Sequence, residues 1–178
     1  MPRIPRGQVT GNAYHVLNRG NGGAVVFHKE GDYTAFLDLL VMAQAKHPVN
    51  VLGFCLMPNH FHLVVQPATV AALSGFMQWW MTSHVRRYHR HYRSHGHMWQ
   101  GRFKSFPIQQ DSRLLTVLRY VLRNPVRAWL VEQAVQWPWS SLRLPHLADA
   151  TPIPRPRRGH SGLISRSWHM NSPPAAPV

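Results

Sequence analysis

Acidic side chains are scarce in this chain. Its 178 residues include six Asp and Glu against 20 Lys and Arg, which gives a net charge of +14 with histidine neutral. The six carboxylates are scattered, at Glu30, Asp32, Asp38, Asp111, Glu132 and Asp149. A two-metal nuclease or polymerase site and the paired carboxylates of a glycosidase both need clustered acids, so these enzyme classes are disfavoured.

Cysteine and long apolar runs are also lacking. Cys55 is the only cysteine, which excludes a disulfide framework and a cysteine-based zinc site. Residues 1–6 contain no apolar stretch of the kind found in signal peptides, and no apolar run approaches the length of a membrane span. We therefore expect a cytoplasmic protein with no membrane partner.

Positive charge is what the chain has in excess. Arginine supplies 17 of the 20 cations. The codon bias of a GC-rich genome would favour Arg over Lys, but it does not explain the shortage of acids. A field of this sign attracts polyanions, and nucleic acid is the first candidate.

The hydrophobic pattern predicts an α+β fold. Strands are expected at 13–18, 49–57, 60–66 and 103–109, helices at 31–46, 69–94 and 112–123, and a short helix after Pro125. The turn residues Pro58 and Asn59 make a hairpin of 49–66, and Pro107 suits an edge strand. This order matches the ferredoxin-like or RRM-like pattern, an antiparallel sheet with helices packed on one face. Residues 1–150 are expected to form one domain, whose compact part ends with Trp137 and Trp139. Residues 151–178 are expected to form a flexible basic tail rich in Pro and Arg.

Two histidines, His60 and His62, stand at the start of the second hairpin strand. Side chains alternate along a strand, so the two imidazoles share one face, while Phe61, Leu63 and Val65 form a core face on the other side. Two imidazoles in this arrangement can bind one divalent metal. An isolated pair is more often simply exposed to solvent, but this strand is too hydrophobic to be an exposed edge.

The helix at 112–123 has an apolar stripe and a polar stripe. The polar stripe includes Tyr120 and Asn124, one turn apart, and Asn124 is a candidate N-cap for the next turn because it precedes Pro125. Most tyrosines of this kind lie at the edge of a core. Tyr120, however, is surrounded in sequence by cations, and a tyrosine on a cationic helix face is a plausible nucleophile.

Residues 84–97 are dense in basic and aromatic side chains. The segment contains His84, Arg86, Arg87, Tyr88, His89, Arg90, His91, Tyr92, Arg93, His95 and His97. A zinc cluster would need a fold-back that a helix forbids. A solvated helix end and a phosphate track with two rings that stack on bases both remain open, and we favour the phosphate track. Trp79 and Trp80 are expected to be core or interface residues.

Five sequence blocks resemble those of single-tyrosine HUH transposases, most closely the REP-associated tyrosine transposases of bacteria. They are Tyr14-His15-Val16-Leu17-Asn18-Arg19-Gly20-Asn21, Met57-Pro58-Asn59-His60-Phe61-His62-Leu63-Val64-Val65, Trp99-Gln100-Gly101-Arg102-Phe103-Lys104, Tyr120-Val121-Leu122-Arg123-Asn124-Pro125-Val126-Arg127-Ala128 and Trp137-Pro138-Trp139-Ser140-Ser141. A His-hydrophobic-His pair alone is a weak signal, whereas five blocks in the same order are a strong one. Trp129 stands where this pattern has a glycine, and the chain beyond Ser141 matches poorly.

The resemblance implies an HUH palm that cuts and rejoins single-stranded or hairpin DNA. It implies that His60, His62 and Asn124 bind Mg²⁺ or Mn²⁺, and that Tyr120 is the nucleophile that forms a 5′-phosphotyrosine. The absence of a P-loop agrees, because the ester keeps the bond energy for rejoining. We expect the DNA to contact Arg19, Arg86, Arg87, Arg90, Arg93, Arg102, Lys104, Arg123 and Arg127.

Alternatives to a transposase remain on the sequence alone. The same palm could bind structured nucleic acid without cutting it. A replication initiator or relaxase is disfavoured, because no third metal-binding histidine flanks the pair and no helicase region is present. The protein is expected to be a monomer or a homodimer.

Overall fold

The chain forms a four-stranded sheet with helices on both faces. The computed structural model describes residues 12–108 and 112–149. Its elements are β1 (Ala13–Arg19), α1 (Glu30–Lys46), β2 (Val49–Met57), β3 (His60–Pro67), α2 (Val70–Tyr92), β4 (Lys104–Ile108), α3 (Ser112–Leu122) and α4 (Asn124–Arg127). All the predicted strands and helices are present within about two residues of their expected ends, apart from Gln109, which lies outside the described residues.

The sheet has the strand order β2-β3-β1-β4, and every neighbouring pair is antiparallel. This strand order is the one expected for a ferredoxin-like α+β fold. The expectation that the helices pack on one face of the sheet was wrong, because α3 packs on the face opposite α1 and α2. β1 and β3 are the central strands, so the His60–His62 segment is interior, as its hydrophobicity predicted. Within the described residues β4 pairs only with β1, and such an edge strand tolerates Pro107, which has no N–H to donate.

One face of the sheet packs against α1 and α2. Phe61, Leu63 and Val65 of β3 point into this layer and are fully buried. Phe36 of α1 stacks on Trp80 of α2 at 4.2 Å between ring centroids, and the indole N–H of Trp80 donates to the carbonyl oxygen of Phe36. Trp80 is therefore a core residue, as predicted. Trp79 is half-buried and packs against the same core.

The opposite face, here called the α3 face, packs against α3. Leu118 and Val121 of the helix lie on a small core that includes Cys55 and Val64. Gly53 allows this close approach, because a β-carbon there would lie 2.7 Å from a methyl carbon of Leu118. By strand alternation and cross-strand register the α3 face also carries His15, Leu17, Arg19, His60, His62, Lys104 and Phe106.

The segment after α4 closes the outer edge of β2. The backbone N–H of Leu56 donates to the carbonyl oxygen of Trp139, and that of Ser141 donates to the carbonyl oxygen of Phe54. The indole N–H of Trp137 donates to the carbonyl oxygen of Leu56. The described chain continues beyond Trp139 to Asp149, and the Asp149 carboxylate accepts the N–H of Val51 at 2.7 Å.

The predicted tail, residues 151–178, lies outside the described residues. Among the helices in the described part of the chain, none combines the length and apolar character needed to cross a bilayer.

Candidate active site

The two histidines of β3 lie side by side on the α3 face. Their ring centroids are 5.1 Å apart and the ring planes are nearly perpendicular, at 87°. His62 is buried and His60 is half-buried. The strand alternation that the sequence predicted therefore places both imidazoles where a single ion could contact them.

Nδ1 of His60 is held by a neighbour. It lies 2.7 Å from the side-chain oxygen of Asn59, whose amide nitrogen in turn donates to the carbonyl oxygen of Gly23. That second bond fixes the orientation of the Asn59 amide, so the Asn59 oxygen accepts and Nδ1 of His60 carries the proton. Nε2 of His60 is left with a free lone pair, as a metal ligand requires.

Nδ1 of His62 is held by His15 of β1. Nε2 of His15 lies 2.9 Å from Nδ1 of His62, and the two rings stack with centroids 5.1 Å apart. His15 was not among the site residues predicted from the sequence. The only sequence signal for His15 was that an ionisable residue lies on the α3 face of a central strand. Its position beside His62 could not be predicted, because that position depends on the pairing of β1 with β3.

Burial keeps these imidazoles uncharged at neutral pH. It lowers the pKa of His62 to about 3, with smaller contributions from His15 and His60. Burial and the Arg19 charge lower the pKa of His60 to about 4, and burial also lowers the pKa of His15. Neutral histidine is the form that binds metal ions.

Tyr120 of α3 lies over the rings of His62 and His15. Its ring centroid lies 5.7 Å from that of His62 and 6.1 Å from that of His15, edge-on in both cases. Tyr120 is 41% exposed. The guanidinium of Arg127 lies 5.3 Å from the ring centroid, in a cation–π contact. One chain therefore contributes the tyrosine and both histidines.

Asn124 is tied to the end of α3. Its amide nitrogen donates to the carbonyl oxygens of Tyr120, at 2.9 Å, and Val121, at 3.3 Å. The expected capping role was wrong, because α4 begins at Asn124 and its N-cap is Arg123. The two carbonyl acceptors require the nitrogen, so the side-chain oxygen is the Asn124 atom that can serve as a ligand.

The candidate donors at this site are of the types that a divalent ion binds. Within the described ranges, no three His, Cys, Asp or Glu side chains are grouped as a metal site. His15 does not complete such a group, because it approaches the Nδ1 side of His62. Two neutral imidazoles and the Asn124 oxygen are the candidate ligands, and such a mixed N/O set suits Mg²⁺ or Mn²⁺.

Cations surround this site on the α3 face. Arg19 pairs across the sheet with His60, and Lys104 pairs with Leu17; both are exposed. Arg102 is exposed in the loop that hydrogen-bonds to the end of β1, and Arg123 is half-buried at the start of α4. The structure therefore groups Arg19, Lys104 and Arg127 with the histidines and Tyr120.

The four arginines of α2 lie on the other side of the sheet. Arg86, Arg87, Arg90 and Arg93 are all exposed, and α2 packs on the face opposite Tyr120. The sheet consequently separates these arginines from the histidine pair, although they stay predicted phosphate contacts.

Three ring residues of the same segment make contacts within the protein. His84 is buried in the core. The hydroxyl of Tyr92 donates to the Asp32 carboxylate at 2.6 Å, and the hydroxyl of Tyr88 lies 2.9 Å from Nε2 of His28. The two tyrosine rings are thereby fixed against the start of α1 rather than standing free as base platforms.

Trp129 adopts the backbone conformation that the glycine of the related pattern would favour. Its φ is 58°, in the left-handed region, and its side chain is 79% exposed. A non-glycine residue in this conformation costs about 1–2 kcal/mol. The departure noted in the sequence therefore falls at a position where the fold itself prefers glycine.

Comparison with known proteins agrees with this geometry. The family described as "Transposase IS200 like" matches residues 8–124. A candidate REP-associated tyrosine transposase of Haemophilus influenzae is 28% identical over 117 residues, and the alignment covers 60% of this chain and 66% of that protein. A solved structure of a REP-associated tyrosine transposase bound to a REP hairpin has the same fold, with a TM-score of 0.63, 15% identity, and coverage of 88% of this chain and 96% of that one. Because the family match extends over more than half of the chain and includes His60, His62, Tyr120 and Asn124, the chain belongs to the family of IS200-like transposases.

Proposed function

We propose that the protein is a DNA transposase that cuts and rejoins single-stranded DNA at hairpin-forming palindromes through a covalent bond to Tyr120. The observation that carries the proposal is the position of Tyr120, 5.7 Å from His62 between ring centroids, in a chain of the IS200-like transposase family. The structural relative bound to a REP hairpin supports hairpin DNA as the substrate class.

In this proposal, Nε2 of His60, Nε2 of His62 and the side-chain oxygen of Asn124 hold Mg²⁺ or Mn²⁺. Such an ion, when bound, polarises a phosphate and stabilises the charge that develops on it. Asn59 and His15 hold the opposite ring nitrogens, so that each imidazole presents Nε2. These contacts orient the ligands before any ion arrives.

Tyr120 supplies the nucleophile. Its phenol oxygen attacks the scissile phosphorus, a Tyr120–phosphate bond forms, and the bond from phosphorus to the 3′ oxygen breaks. The phenol proton passes to solvent and the departing oxygen gains one, which leaves a 5′-phosphotyrosine and a free 3′-OH. Arg127 places positive charge against the Tyr120 ring and stabilises the oxygen as it becomes negative. Attack by a 3′-OH on the ester reverses these steps and rejoins the DNA.

Replacement of the nucleophile tests the proposal. Tyr120→Phe should abolish the covalent protein–DNA adduct on a hairpin oligonucleotide, while binding stays nearly unchanged because only one hydroxyl is lost. Tyr88→Phe is the matched control, since it removes a hydroxyl on the opposite side of the sheet. An adduct that persists in Tyr120→Phe would show that another residue is the nucleophile. Specific binding by wild-type protein that never yields an adduct would favour a non-catalytic binding module.

The ligands are tested separately. His60→Ala and His62→Ala should each lose cleavage and weaken Mn²⁺ binding measured by calorimetry. Their melting temperatures should fall only modestly, because neither imidazole belongs to the two hydrophobic core clusters of the described residues. Wild-type cleavage that survives EDTA would contradict the metal-dependent mechanism.

A further inference from the structure

Phe106 is an aromatic side chain left open on the α3 face. It pairs across the sheet with His15, and its ring centroid lies 6.3 Å from that of His15. The side chain is 52% exposed and belongs to neither of the two hydrophobic core clusters of the described residues. α3 therefore leaves this part of the sheet uncovered.

The surroundings of Phe106 place it beside the reacting groups. The same His15 ring contacts Phe106 on one side and lies 6.1 Å from the ring of Tyr120 on another. Lys104 stands two residues earlier on the same face of β4, and Arg19 is on the same face of β1. An open aromatic ring flanked by cations matches a nucleotide, which offers a flat base together with a negative phosphate.

We infer that Phe106 is the stacking platform for an unpaired base next to the scissile phosphate. The inference rests on the proposed function for its substrate class, single-stranded DNA. Lys104 and Arg19 contact the phosphates of the same stretch, and Phe106 stacks on a base. A ring has no hydrogen-bonding groups, so Phe106 favours an unpaired nucleotide without selecting its sequence. The cut strand is then held by its base as well as by its phosphates.

The test compares two single strands with identical phosphates. One probe is a fluorescein-labelled dT15 oligonucleotide, and the other is a 15-mer of abasic deoxyribose phosphates. Anisotropy titrations are done in EDTA with the Tyr120→Phe protein, so that neither metal nor cleavage contributes. Phe106→Ala should weaken binding of dT15 by about 5- to 150-fold and leave binding of the abasic strand unchanged. Phe106→Trp should restore the preference for dT15.

Lys104→Gln is the matched control. It removes a cation from the same face of the same strand, and it should weaken binding of both probes by the same factor. Phe106→Leu keeps most of the apolar surface and separates ring stacking from folding, since it should lose the preference for dT15 with an unchanged melting temperature.

Two outcomes would overturn the inference. One is an unchanged ratio of dT15 to abasic affinity in Phe106→Ala, and the other is an equal loss for both probes. Because these titrations need no cutting, a wild-type protein that forms no adduct would refute the proposed function and leave the stacking result standing.

Discussion

At the scale of single residues, the site depends on what holds the ring nitrogens that face away from a ligand. Asn59 and His15 lie against Nδ1 of His60 and of His62. Neither is a candidate metal ligand, yet both occupy a ring nitrogen and leave Nε2 as the nitrogen that faces a ligand. The chemistry of the histidine pair is therefore set by neighbours in a turn and on another strand.

His15 should influence ion binding without touching the ion. His15→Leu removes the hydrogen-bond partner of Nδ1 of His62, and we expect Mn²⁺ affinity to fall about 10-fold or more. His15→Gln keeps an acceptor on the side chain and should recover part of the loss. Calorimetry of the DNA-free protein measures both, with His91→Leu, an exposed histidine of α2, as the control. Equal Mn²⁺ affinity in His15→Leu and the wild type would contradict this role.

His84 should make the protein sensitive to acid. Burial lowers the pKa of His84 to about 3, against 6.5 in the unfolded chain. Two smaller contributions act on this pKa: the Asp32 charge raises it and the Arg87 charge lowers it. Between these two values the unfolded chain binds more protons than the folded chain, so the free energy of unfolding decreases as the pH falls. From pH 7 to pH 5 one such group costs about 2 kcal/mol.

Removing His84 tests this linkage. His84→Leu should narrow the difference between the free energies of unfolding at pH 7 and pH 5 by about 2 kcal/mol, measured by urea denaturation at each pH. His95→Leu changes an exposed histidine and should leave the difference unaltered. The remaining acid sensitivity is assigned to His60 and His62, whose pKa values are also lowered by burial. The prediction would be contradicted if the free energies of unfolding of His84→Leu at pH 7 and pH 5 differed by as much as those of the wild type.

At the scale of elements, α3 carries the proposed nucleophile, Tyr120, and Gly53 sets the distance of this helix from the sheet. Gly53→Ala would bring a β-carbon to 2.7 Å from a methyl of Leu118 and 3.4 Å from the Ser141 hydroxyl. Such overpacking typically costs about 1–3 kcal/mol. Because Tyr120 lies two residues beyond Leu118, the rate of adduct formation on bound DNA should fall while DNA affinity changes little.

Gly31→Ala provides the control for Gly53→Ala. A β-carbon at Gly31 in α1 meets no atom within contact distance, so both stability and adduct formation should be kept. Thermal unfolding and single-turnover adduct formation measure the two effects. A Gly53→Ala protein with wild-type stability and rate would show that α3 adjusts at no cost.

At the scale of the whole molecule, the positive charge lies on both sides of the sheet. The α2 arginines, Arg86, Arg87, Arg90 and Arg93, form a group apart from the cations around Tyr120. Replacing all four with Gln should flatten the slope of log affinity against log salt by roughly two to three units if they contact phosphates. Hairpin preference should persist, because phosphate contacts position the DNA and do not specify it.

The same quadruple variant should keep its rate of adduct formation on saturating DNA, because the sheet lies between these arginines and Tyr120. Arg143→Gln, an exposed cation in the segment after α4, is the single-charge control. An unchanged salt slope would mean that the end of α2 is only a solvated face. The phosphate contacts would then lie with Arg19, Arg102, Lys104, Arg123 and Arg127.

A single chain should contain a complete reaction centre. Tyr120 contacts His62 within one protomer, so a Tyr120→Phe protein mixed with a His62→Ala protein should form no adduct. Wild-type protein diluted with either variant should lose activity only in proportion to its fraction. An adduct in the mixture of the two variants would show that Tyr120 acts on the histidine pair of a partner chain.

The sequence by itself determined the fold and much of the site. Apolar residues at periods of two and 3.6 are local properties of a chain, so they predicted the strands and helices of the ferredoxin-like order. The side-chain alternation of a strand was enough to put His60 and His62 on one face. The family blocks added Tyr120 and Asn124, and no local rule could predict that Tyr120 lies beside His62.

Only the tertiary structure decided which distant residues share a surface. The pairing of β1 with β3 brings His15 to His62, and the pairing of β1 with β4 leaves Phe106 open beside them. Because α2 packs on the face opposite Tyr120, the sheet separates the arginines of α2 from that side chain. The sequence alone could not distinguish these arginines from the cations near Tyr120. Each of these facts depends on strand register and on the side of the sheet that a helix covers, and both are fixed by packing between segments far apart in the chain.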